Sequence, residues 1–350
     1  MKMTQITMTR PDDWHVHLRD GKGMADVVRH TARVFARAIF MPNLKVPVVT
    51  TGGALAYRRR ILNALPSQTT FEPLMTLYLT DRTPGAEIRR AVESGVVHGV
   101  KLFPAGATTN SDAGVTDIAR VGEALSTMAE LGLPLLVHGE VTDSDIDLFD
   151  REAVFLDRVL APLVEAHPGL KIVMEHLTTA EAVSFVEKAR EGVAATITPH
   201  HLMMNRNAIF SGGIRPHNYC LPVLKRERHR QALVRAATSG NIRFFLGTDS
   251  APHSVQTKEA PCGCAGIYSA HAALELYAQV FETAGALHRL EAFASFHGPD
   301  FYRLPRNTGS ITLVQESWLV PPAYRFGEGS VIPLSAGETV AWQIEEMDRP

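Results

Sequence analysis

The sequence predicts an α/β fold in which eight parallel strands, each followed by a helix or a long loop, close into a barrel. Three observations predict this fold. Short, nearly continuous apolar runs recur along the chain, segments of helical periodicity separate them, and polar residues follow the ends of most runs. Such runs are typical of strands buried on both faces of a parallel sheet. Eight strand–helix units within about 250 residues indicate a (β/α)8 TIM barrel.

The first candidate strand lies in the stretch DDWHVHLRD, close to the start of the chain. Alternate side chains of an extended strand point to the same face. His15, His17 and Arg19 are therefore expected on one face, and Trp14, Val16 and Leu18 on the other. Two imidazoles and a guanidinium make a poor core, so the first face is a candidate site. Chance polar residues on a half-exposed strand are the alternative.

Seven further apolar runs complete the set of eight strands: RAIFMPN (37–43), LMTLYLTD (74–81), GVKLFPA (99–105), PLLVHGE (134–140), KIVMEHL (171–177), AATITPHH (194–201) and IRFFLGTDSAPH (242–253). Between them, helical segments place apolar residues three and four positions apart, and several end in glycine, a common helix stop. These segments span 52–65, 85–95, 121–132, 155–169, 179–192 and 225–240.

The chain is expected to form one domain over 1–350, with the barrel core at about 12–300 and short terminal decorations. A doubly wound open sheet is the alternative architecture. Such a sheet usually carries a glycine-rich phosphate-binding turn after its first strand, and the sequence has none there.

Composition excludes several classes of protein. Lys and Arg number 35 against 37 Asp and Glu, and the formal charge of −2 leaves no basic surface for nucleic acid and no polybasic membrane patch. The first residues do not resemble a signal peptide, and no apolar run reaches membrane-spanning length. Cys220, Cys262 and Cys264 are too few for a disulfide framework, so a cytoplasmic location is expected.

Polar residues follow the predicted strands at the end where barrel active sites lie. A lone histidine there is more often structural than a metal ligand, but four of the eight candidate strands end in histidine. Imidazole nitrogens and carboxylate oxygens are the ligands that Zn²⁺ and similar ions require. The strand-end residues are His15, His17, Arg19, Asn43, Lys101, His138, His176, His200, His201, Asp249 and His253.

Lys101 differs from the other strand-end residues because a protonated ammonium has no lone pair and repels a metal ion. An ion-paired or solvated lysine is the simpler interpretation. Alternatively, the neutral amine reacts with CO₂ to give a carbamate, an anionic group on a long arm that can bridge two metal ions. The sequence leaves both interpretations open.

A series of motifs resembles the bacterial dihydroorotases of compact type, which belong to the amidohydrolase superfamily and lack the β-sandwich of hydantoinase-like relatives. The resemblance is strongest from 12 to 266, and the order of the motifs makes it specific. The motifs are DDWHVHLRDG, MPNL, VKLFPAGATTN, LLVHGEVT, EHLTT, ITPHHLMMNRN, YCLPVLK, LGTDSAPH and CGCAG.

The resemblance implies the reversible cyclisation of N-carbamoyl-L-aspartate to L-dihydroorotate with loss of water, a step of de novo pyrimidine (UMP) biosynthesis. It implies two Zn²⁺ per subunit, bridged by a hydroxide and by Lys101 as N6-carboxylysine. Asp249 would also be the catalytic residue that exchanges protons with the hydroxide and the ring nitrogen. The implied metal ligands are His15, His17 and Asp249 for one zinc, and His138 and His176 for the other, with Lys101 shared.

The resemblance also implies how the small anionic substrate is bound. Arg19, Asn43 and His253 would bind its carboxylate, and the backbones around Leu221 and Ala265 would contact the ring amides. Thr108 and Thr109 would lie on a mobile loop, GATTN (106–110), and the subunit would form a homodimer. Two positions depart from the family pattern: Phe103 stands where tyrosine is frequent, and Gly106 where asparagine or another residue is frequent.

Three other functions share parts of this pattern. A hydantoinase-type cyclic amidase would use the same metals but would need no anion-binding group around Arg19. A mononuclear deaminase on the same fold would have no use for a bridging Lys101. A non-catalytic scaffold derived from such an enzyme should have lost some ligands, and every implied ligand is present.

Overall fold

The computed structural model describes residues 5–345, and the predicted single domain of 1–350 therefore extends beyond the described residues at both ends. Within these residues the strands are β1 (Gln5–Thr9), β2 (Asp12–Val16), β3 (Arg37–Phe40), β4 (Glu72–Tyr78), β5 (Val97–Leu102), β6 (Leu135–Val137), β7 (Ile172–Met174), β8 (Val193–Ile197), β9 (Phe244–Leu246), β10 (Ser310–Val314), β11 (Trp318–Leu319), β12 (Tyr324–Phe326), β13 (Gly329–Val331), β14 (Thr339–Val340) and β15 (Gln343–Ile344).

The helices of the described residues lie mainly between the barrel strands. They are α1 (Met24–Val34), α2 (Thr51–Ala64), α3 (Gly85–Glu93), α4 (Gly122–Leu131), α5 (Arg151–Phe155), α6 (Ala161–Ala166), α7 (Ala180–Lys188), α8 (Pro199–Met203), α9 (Glu227–Thr238), α10 (Val255–Lys258), α11 (Ala273–Thr283) and α12 (His297–Tyr302). A π-helical turn joins α5 to α6, so the two continue each other. Within 5–345, no helix combines the length and apolar character needed to cross a membrane.

Strands β2 to β9 form one eight-stranded sheet in which each strand pairs in parallel with its successor. The sheet closes between β2 and the segment after β9. There the amide of Asp249 donates to the carbonyl of His15 at 2.8 Å, and the amide of His17 donates to Ser250 at 3.0 Å. The predicted (β/α)8 TIM barrel is therefore confirmed, and the open sheet is wrong.

The interior of the barrel holds an apolar layer to which seven of the eight strands contribute. Trp14 belongs to this layer and stacks on Tyr302 of α12, with ring centroids 4.3 Å apart. Val16 instead packs in the outer cluster between strands and helices. The expectation that Trp14 and Val16 share a face is wrong, because the β2–β3 register shifts between Asp13 and Val16 and interrupts the alternation.

The terminal segments form one small structure. Strand β1 pairs antiparallel with β10, and β10 pairs with β15, giving a three-stranded sheet from the two ends of the described chain. The predicted helical segments coincide with α2, α3, α4, α5–α6, α7 and α9, whereas α1 and α11 were not predicted. In α1 the buried positions Val27, Val28 and Val34 follow helical spacing, so the signal was present in the sequence.

Candidate metal and substrate site

The closure of the barrel brings His15, His17 and Asp249 together at the C-terminal end of the strands. The Nε2 atoms of His15 and His17 lie 3.2 Å apart, and Oδ1 of Asp249 lies 3.3 Å from the first and 3.1 Å from the second. All three side chains are buried. Three donor atoms this close suit one metal ion, and they belong to the three residues that the family resemblance assigns to one zinc.

A second group of donors lies beside the first. His138 follows β6 and His176 follows β7, and their ring centroids are 4.9 Å apart, while His176 lies 5.0 Å from His15 by the same measure. Nδ1 of His176 is buried and has no hydrogen-bond partner among residues 5–345. A buried nitrogen with a free lone pair costs free energy unless a ligand occupies it, so the donor set fits a metal ion.

Lys101, in β5, is fully buried, and its Nζ contacts Oε2 of the buried Glu175. The other carboxylate oxygen of Glu175 lies 3.1 Å from Nδ1 of His15. Burial lowers the pKa of Lys101 below its usual value, and Glu175 acts in the opposite direction. The unmodified lysine is thus ion-paired, while burial favours the neutral amine, which is the form that reacts with CO₂.

Carboxylates that the sequence analysis did not select orient the ligands. Asp13 accepts hydrogen bonds from the amide of His15 at 3.1 Å and from the amide and hydroxyl of Thr248 at 2.9 and 2.6 Å. Glu140 lies with Oε2 2.8 Å from Nε2 of His138. Glu140 can thereby fix the ring orientation and tautomer of His138, whereas Asp13 holds the backbone of His15 against Thr248. Each lies two residues from a histidine, in DDWHVH and HGE, and this spacing was the available signal.

Backbone strain concentrates in this region. Seven non-glycine residues among 5–345 have a positive φ, and four belong to the site or its loop: Arg19, Asn110, His176 and Asp249, with φ of 64°, 55°, 46° and 44°. Such conformations are unfavourable for residues with a Cβ and persist where the surroundings require them. Arg19 therefore reaches the site through a turn rather than through the strand alternation that the sequence suggested.

Arg19 and His253 form a pair at the side of the metal ligands. Nη2 of Arg19 donates to Nε2 of His253 at 2.7 Å, and Nε donates to the carbonyl of Pro252 at 3.3 Å. Burial lowers the pKa of Arg19 to about 10, so it stays cationic near neutral pH. Burial and then Arg19 lower the pKa of His253 to about 2, so its ring is neutral. The pair supplies one positive charge for an anion.

The loop 106–110 lies over the site. The side-chain amide of Asn43 donates to the carbonyl of Thr109 at 2.9 Å, and that of Asn110 donates back to the carbonyl of Asn43 at 3.0 Å. The hydroxyl of Thr109 donates to the carbonyl of Ala265 at 3.4 Å. These bonds join the loop to two walls of the site, and both threonines line the space between those walls.

One small cavity connects these groups. Lys101 and His253 do not line it: the first is fully buried behind Phe103 and Glu175, and the second acts through Arg19. The predicted site residues that line the cavity are His15, His17, Arg19, Asn43, Thr108, Thr109, His138, His176, Leu221, Asp249 and Ala265.

The structure shows the environment of Phe103 and Gly106, the two positions that depart from the family pattern. Phe103 lines the cavity, and its ring centroid lies 5.2 Å from that of Tyr78, whose hydroxyl donates to the carbonyl of Asn110 at 3.4 Å. Tyr78 thus supplies a phenol to the loop where Phe103 has none. Gly106 has a φ of +79°, and no atom lies within 4 Å of the point where a Cβ would stand, so conformation rather than space explains glycine there.

His200 and His201 do not line the cavity. With Cys220 they form a third close group of possible metal donors within the described chain. However, Nδ1 of His201 lies 2.7 Å from the hydroxyl of Thr198, and Nε2 lies 3.1 Å from the carbonyl of Pro222. Both ring nitrogens are thereby engaged, and the ring ties α8 to the loop at Pro222.

Comparison with known proteins agrees with this geometry. Residues 12–322 match the amidohydrolase family. A dihydroorotase from Nitrosomonas europaea is 66% identical over 342 residues, which cover 97% of this chain and 98% of the relative. The dihydroorotase structure from Campylobacter jejuni superimposes with a TM-score of 0.91 at 34% identity and 99% coverage of both chains.

A second solved structure gives the same result. The dihydroorotase of Saccharomyces cerevisiae, in complex with 5-fluoroorotic acid, has a TM-score of 0.91 and 33% identity, and covers 99% of this chain and 100% of its own. Identity and coverage at these levels define a family as well as a fold. The chain therefore belongs to the dihydroorotases of the amidohydrolase family.

Proposed function

We propose that this chain catalyses the reversible cyclisation of N-carbamoyl-L-aspartate to L-dihydroorotate with loss of water, in pyrimidine biosynthesis. The observation that carries the proposal is the meeting of five imidazole and carboxylate donors with the Arg19 guanidinium in one cavity. A carboxylate bound at Arg19 would place the rest of a small substrate against those donors. The relatives named dihydroorotase support the same reaction.

We infer that two Zn²⁺ ions belong to each subunit, with His15, His17 and Asp249 holding one, His138 and His176 the other, and carboxylated Lys101 shared. When bound, the zinc ions lower the pKa of water and polarise the substrate carbonyl. The carbamate nitrogen of N6-carboxylysine keeps one N–H, which the neighbouring carboxylate of Glu175 can accept. Glu175 would then change from ion-pair partner to hydrogen-bond acceptor without moving away.

Asp249 would be the residue that moves the proton. Its carboxylate is buried against two imidazoles, and the nearby histidines, His15 first, hold its pKa well below the usual value although burial opposes this. In the hydrolytic direction the carboxylate accepts the proton of the attacking water and returns it to the leaving ring nitrogen. In the closing direction the protonated acid gives the proton back.

The remaining residues bind and enclose the substrate. Arg19 carries the positive charge that meets the substrate carboxylate, with Asn43 and His253 beside it. Leu221 and Ala265 line the cavity, and their backbones would bond the ring amides. Thr108 and Thr109 add hydroxyls from the loop and exclude water when it is closed.

The test is an assay of the purified protein on dihydroorotate and on hydantoin, with metal analysis of the same sample. We expect turnover of dihydroorotate, little or none of hydantoin, and close to two zinc ions per chain. Preferential hydrolysis of hydantoin would favour the hydantoinase function, and a metal-free active protein would refute the metal assignment.

We further propose that the subunit forms a homodimer and works in the cytoplasm, as the family resemblance implies. Size-exclusion chromatography with light scattering measures the first, since a dimer has twice the mass of the 38.3 kDa chain. A monomer that is fully active would contradict the dimer.

A further inference from the structure

Lys258, the last residue of α10, is a buried lysine that the proposed reaction does not use. Only 3% of the residue is exposed. Its Nζ donates to the carbonyl of Tyr219 at 2.7 Å and to the carbonyl of Gly266 at 2.8 Å. Burying an ammonium is costly unless it is hydrogen-bonded, so an apolar side chain would be the simpler choice at this position. The two bonds indicate what the lysine contributes.

The two carbonyls belong to the two segments that build one wall of the cavity. Leu221 lies two residues beyond Tyr219, and Ala265 precedes Gly266; Leu221, Ala265 and Gly266 all line the cavity. The amide of Gly266 also donates to the carbonyl of Tyr219 at 3.0 Å. Lys258 therefore bonds both segments at the point where they touch each other.

The wall is fixed on its other side as well. A Cβ on Gly266, which has a φ of +149°, would lie 2.6 Å from the carbonyl oxygen of Ala251. Ala251 follows Asp249 by two residues, and its amide donates to the carbonyl of Ile267 at 2.9 Å. The segment around Gly266 is thus held between the end of β9 and the Lys258 ammonium, so a change at Lys258 would move the wall rather than a free loop.

The charge of Lys258 has no carboxylate partner among residues 5–345. The groups that face it are the Tyr219 ring, whose centroid lies 5.6 Å from Nζ, the thiols of Cys220 and Cys264, and the Arg19 guanidinium. The charge of Lys258 also acts on His253 and on His200. Two cations, Lys258 and Arg19, thus share the substrate side of the site, and an anionic ligand supplies the missing opposite charge.

We propose that Lys258 is a positioning residue that fixes the Tyr219–Leu221 and Ala265–Gly266 backbones as one wall and adds its charge to the attraction of the substrate. The proposal rests on the proposed function. Open carbamoyl aspartate is a dianion and the dihydroorotate ring a monoanion, so the charge favours binding of the open form more strongly.

The test compares Lys258→Met and Lys258→Arg with the wild type in both directions of the reaction. For Lys258→Met we expect KM for carbamoyl aspartate to rise by about tenfold or more, KM for dihydroorotate to rise less, and zinc content to stay the same. Lys258→Arg keeps a cation with several donors and should recover most of the loss. Lys188→Met removes an exposed lysine from α7 and serves as the matched control.

The pH profile of the unmodified protein is an independent measurement. Burial lowers the pKa of Lys258 to about 8, whereas burial raises the pKa values of Tyr219, Cys220 and Cys264. KM for carbamoyl aspartate should therefore rise as the pH increases through 8, and Lys258→Arg should flatten that rise because arginine keeps its charge. This measurement stands even where Lys258→Met fails to fold.

Equal changes of both KM values, or a loss of kcat alone, would show a structural lysine and overturn the proposal. Wild-type kinetics in Lys258→Met together with a flat KM profile around pH 8 would overturn it too. An inactive wild-type protein would instead refute the proposed function, so the two failures are distinguishable.

Discussion

Replacing Arg19 by methionine removes the guanidinium beside His253 while keeping a side chain of similar length. In the structure Arg19 contacts the carbonyl of Pro252 and the ring of His253, and no hydrogen bond joins it to a metal-ligand side chain among residues 5–345. The change should therefore weaken substrate binding and leave the bound metal unchanged. The pair is partly enclosed, so the lost interaction is stronger than at an exposed site.

The expected decrease in kcat/KM follows from the loss of one hydrogen bond between the Arg19 guanidinium and the substrate carboxylate. A hydrogen bond to a charged group contributes roughly 1.5–3 kcal/mol, which corresponds to about a ten- to two-hundredfold decrease in kcat/KM. Arg19→Lys keeps the charge but loses the planar guanidinium, which can contact Pro252, His253 and the substrate at once. Its kcat/KM should therefore lie between those of the wild type and Arg19→Met.

The assay measures kcat/KM for dihydroorotate hydrolysis and zinc per chain in the same samples. Arg89→Met is the matched control, because Arg89 forms an exposed ion pair with Glu130 at 2.8 Å on the helices outside the barrel. Loss of zinc from Arg19→Met with unchanged kinetics per metal-loaded site would refute the carboxylate-binding role. Unchanged kcat/KM in a fully loaded variant would refute it equally.

Three further changes test the remaining assignments. Lys101→Ala removes the shared anion between two dications, so metal analysis should show loss of the paired site. Activity should fall at least a thousandfold, about 4 kcal/mol or more, and a small added carboxylate should restore part of it. A variant with two metals and normal turnover would exclude the carbamate. Asp249→Asn cannot carry the proton, so kcat should collapse in both directions while part of the metal remains. In the wild type, hydrolysis needs ionised Asp249 and should fade as the pH falls, whereas ring closure needs the protonated form and should gain at lower pH; matching pH–rate profiles would contradict this assignment. The double change Thr108→Val and Thr109→Val keeps the side-chain shape but removes both hydroxyls. The value of kcat/KM should fall well over tenfold with the metals intact, and a ligand should no longer protect the loop from proteolysis. Wild-type kinetics in this variant would show that the loop is only a connector.

The barrel was predictable because its strands are buried on both faces and most of them are followed by a recognisable polar residue. The same logic found the cavity-lining histidines and Asp249. It failed for Trp14, since a register shift inside β2 leaves no trace in the pattern of apolar residues. Arg19 does line the cavity, but a left-handed turn rather than strand alternation brings its side chain there.

Residues that act through other residues were the ones missed. Glu175, Asp13 and Glu140 neighbour histidines in sequence, but a carboxylate beside a histidine is common and only the fold shows which ones make contact. Lys258 bonds two backbone carbonyls, and carbonyls are present at every residue, so no pattern of side chains could indicate its partners. Neither hydrophobic periodicity nor sequence motifs can predict tertiary contacts of this kind.

The seam where β2 meets the end of β9 has a consequence for assembly of the molecule. His15 and Thr248, on the two sides of that seam, are 233 positions apart, so their contact closes a loop that contains nearly the whole barrel. Contacts between such distant positions carry a larger loop-closure cost than local contacts. An ion held by His15, His17 and Asp249 would bind only the closed barrel. Its binding free energy would add directly to the stability of the contact between β2 and the segment after β9. Chelation would then loosen the first and last strands while the middle of the barrel stays intact.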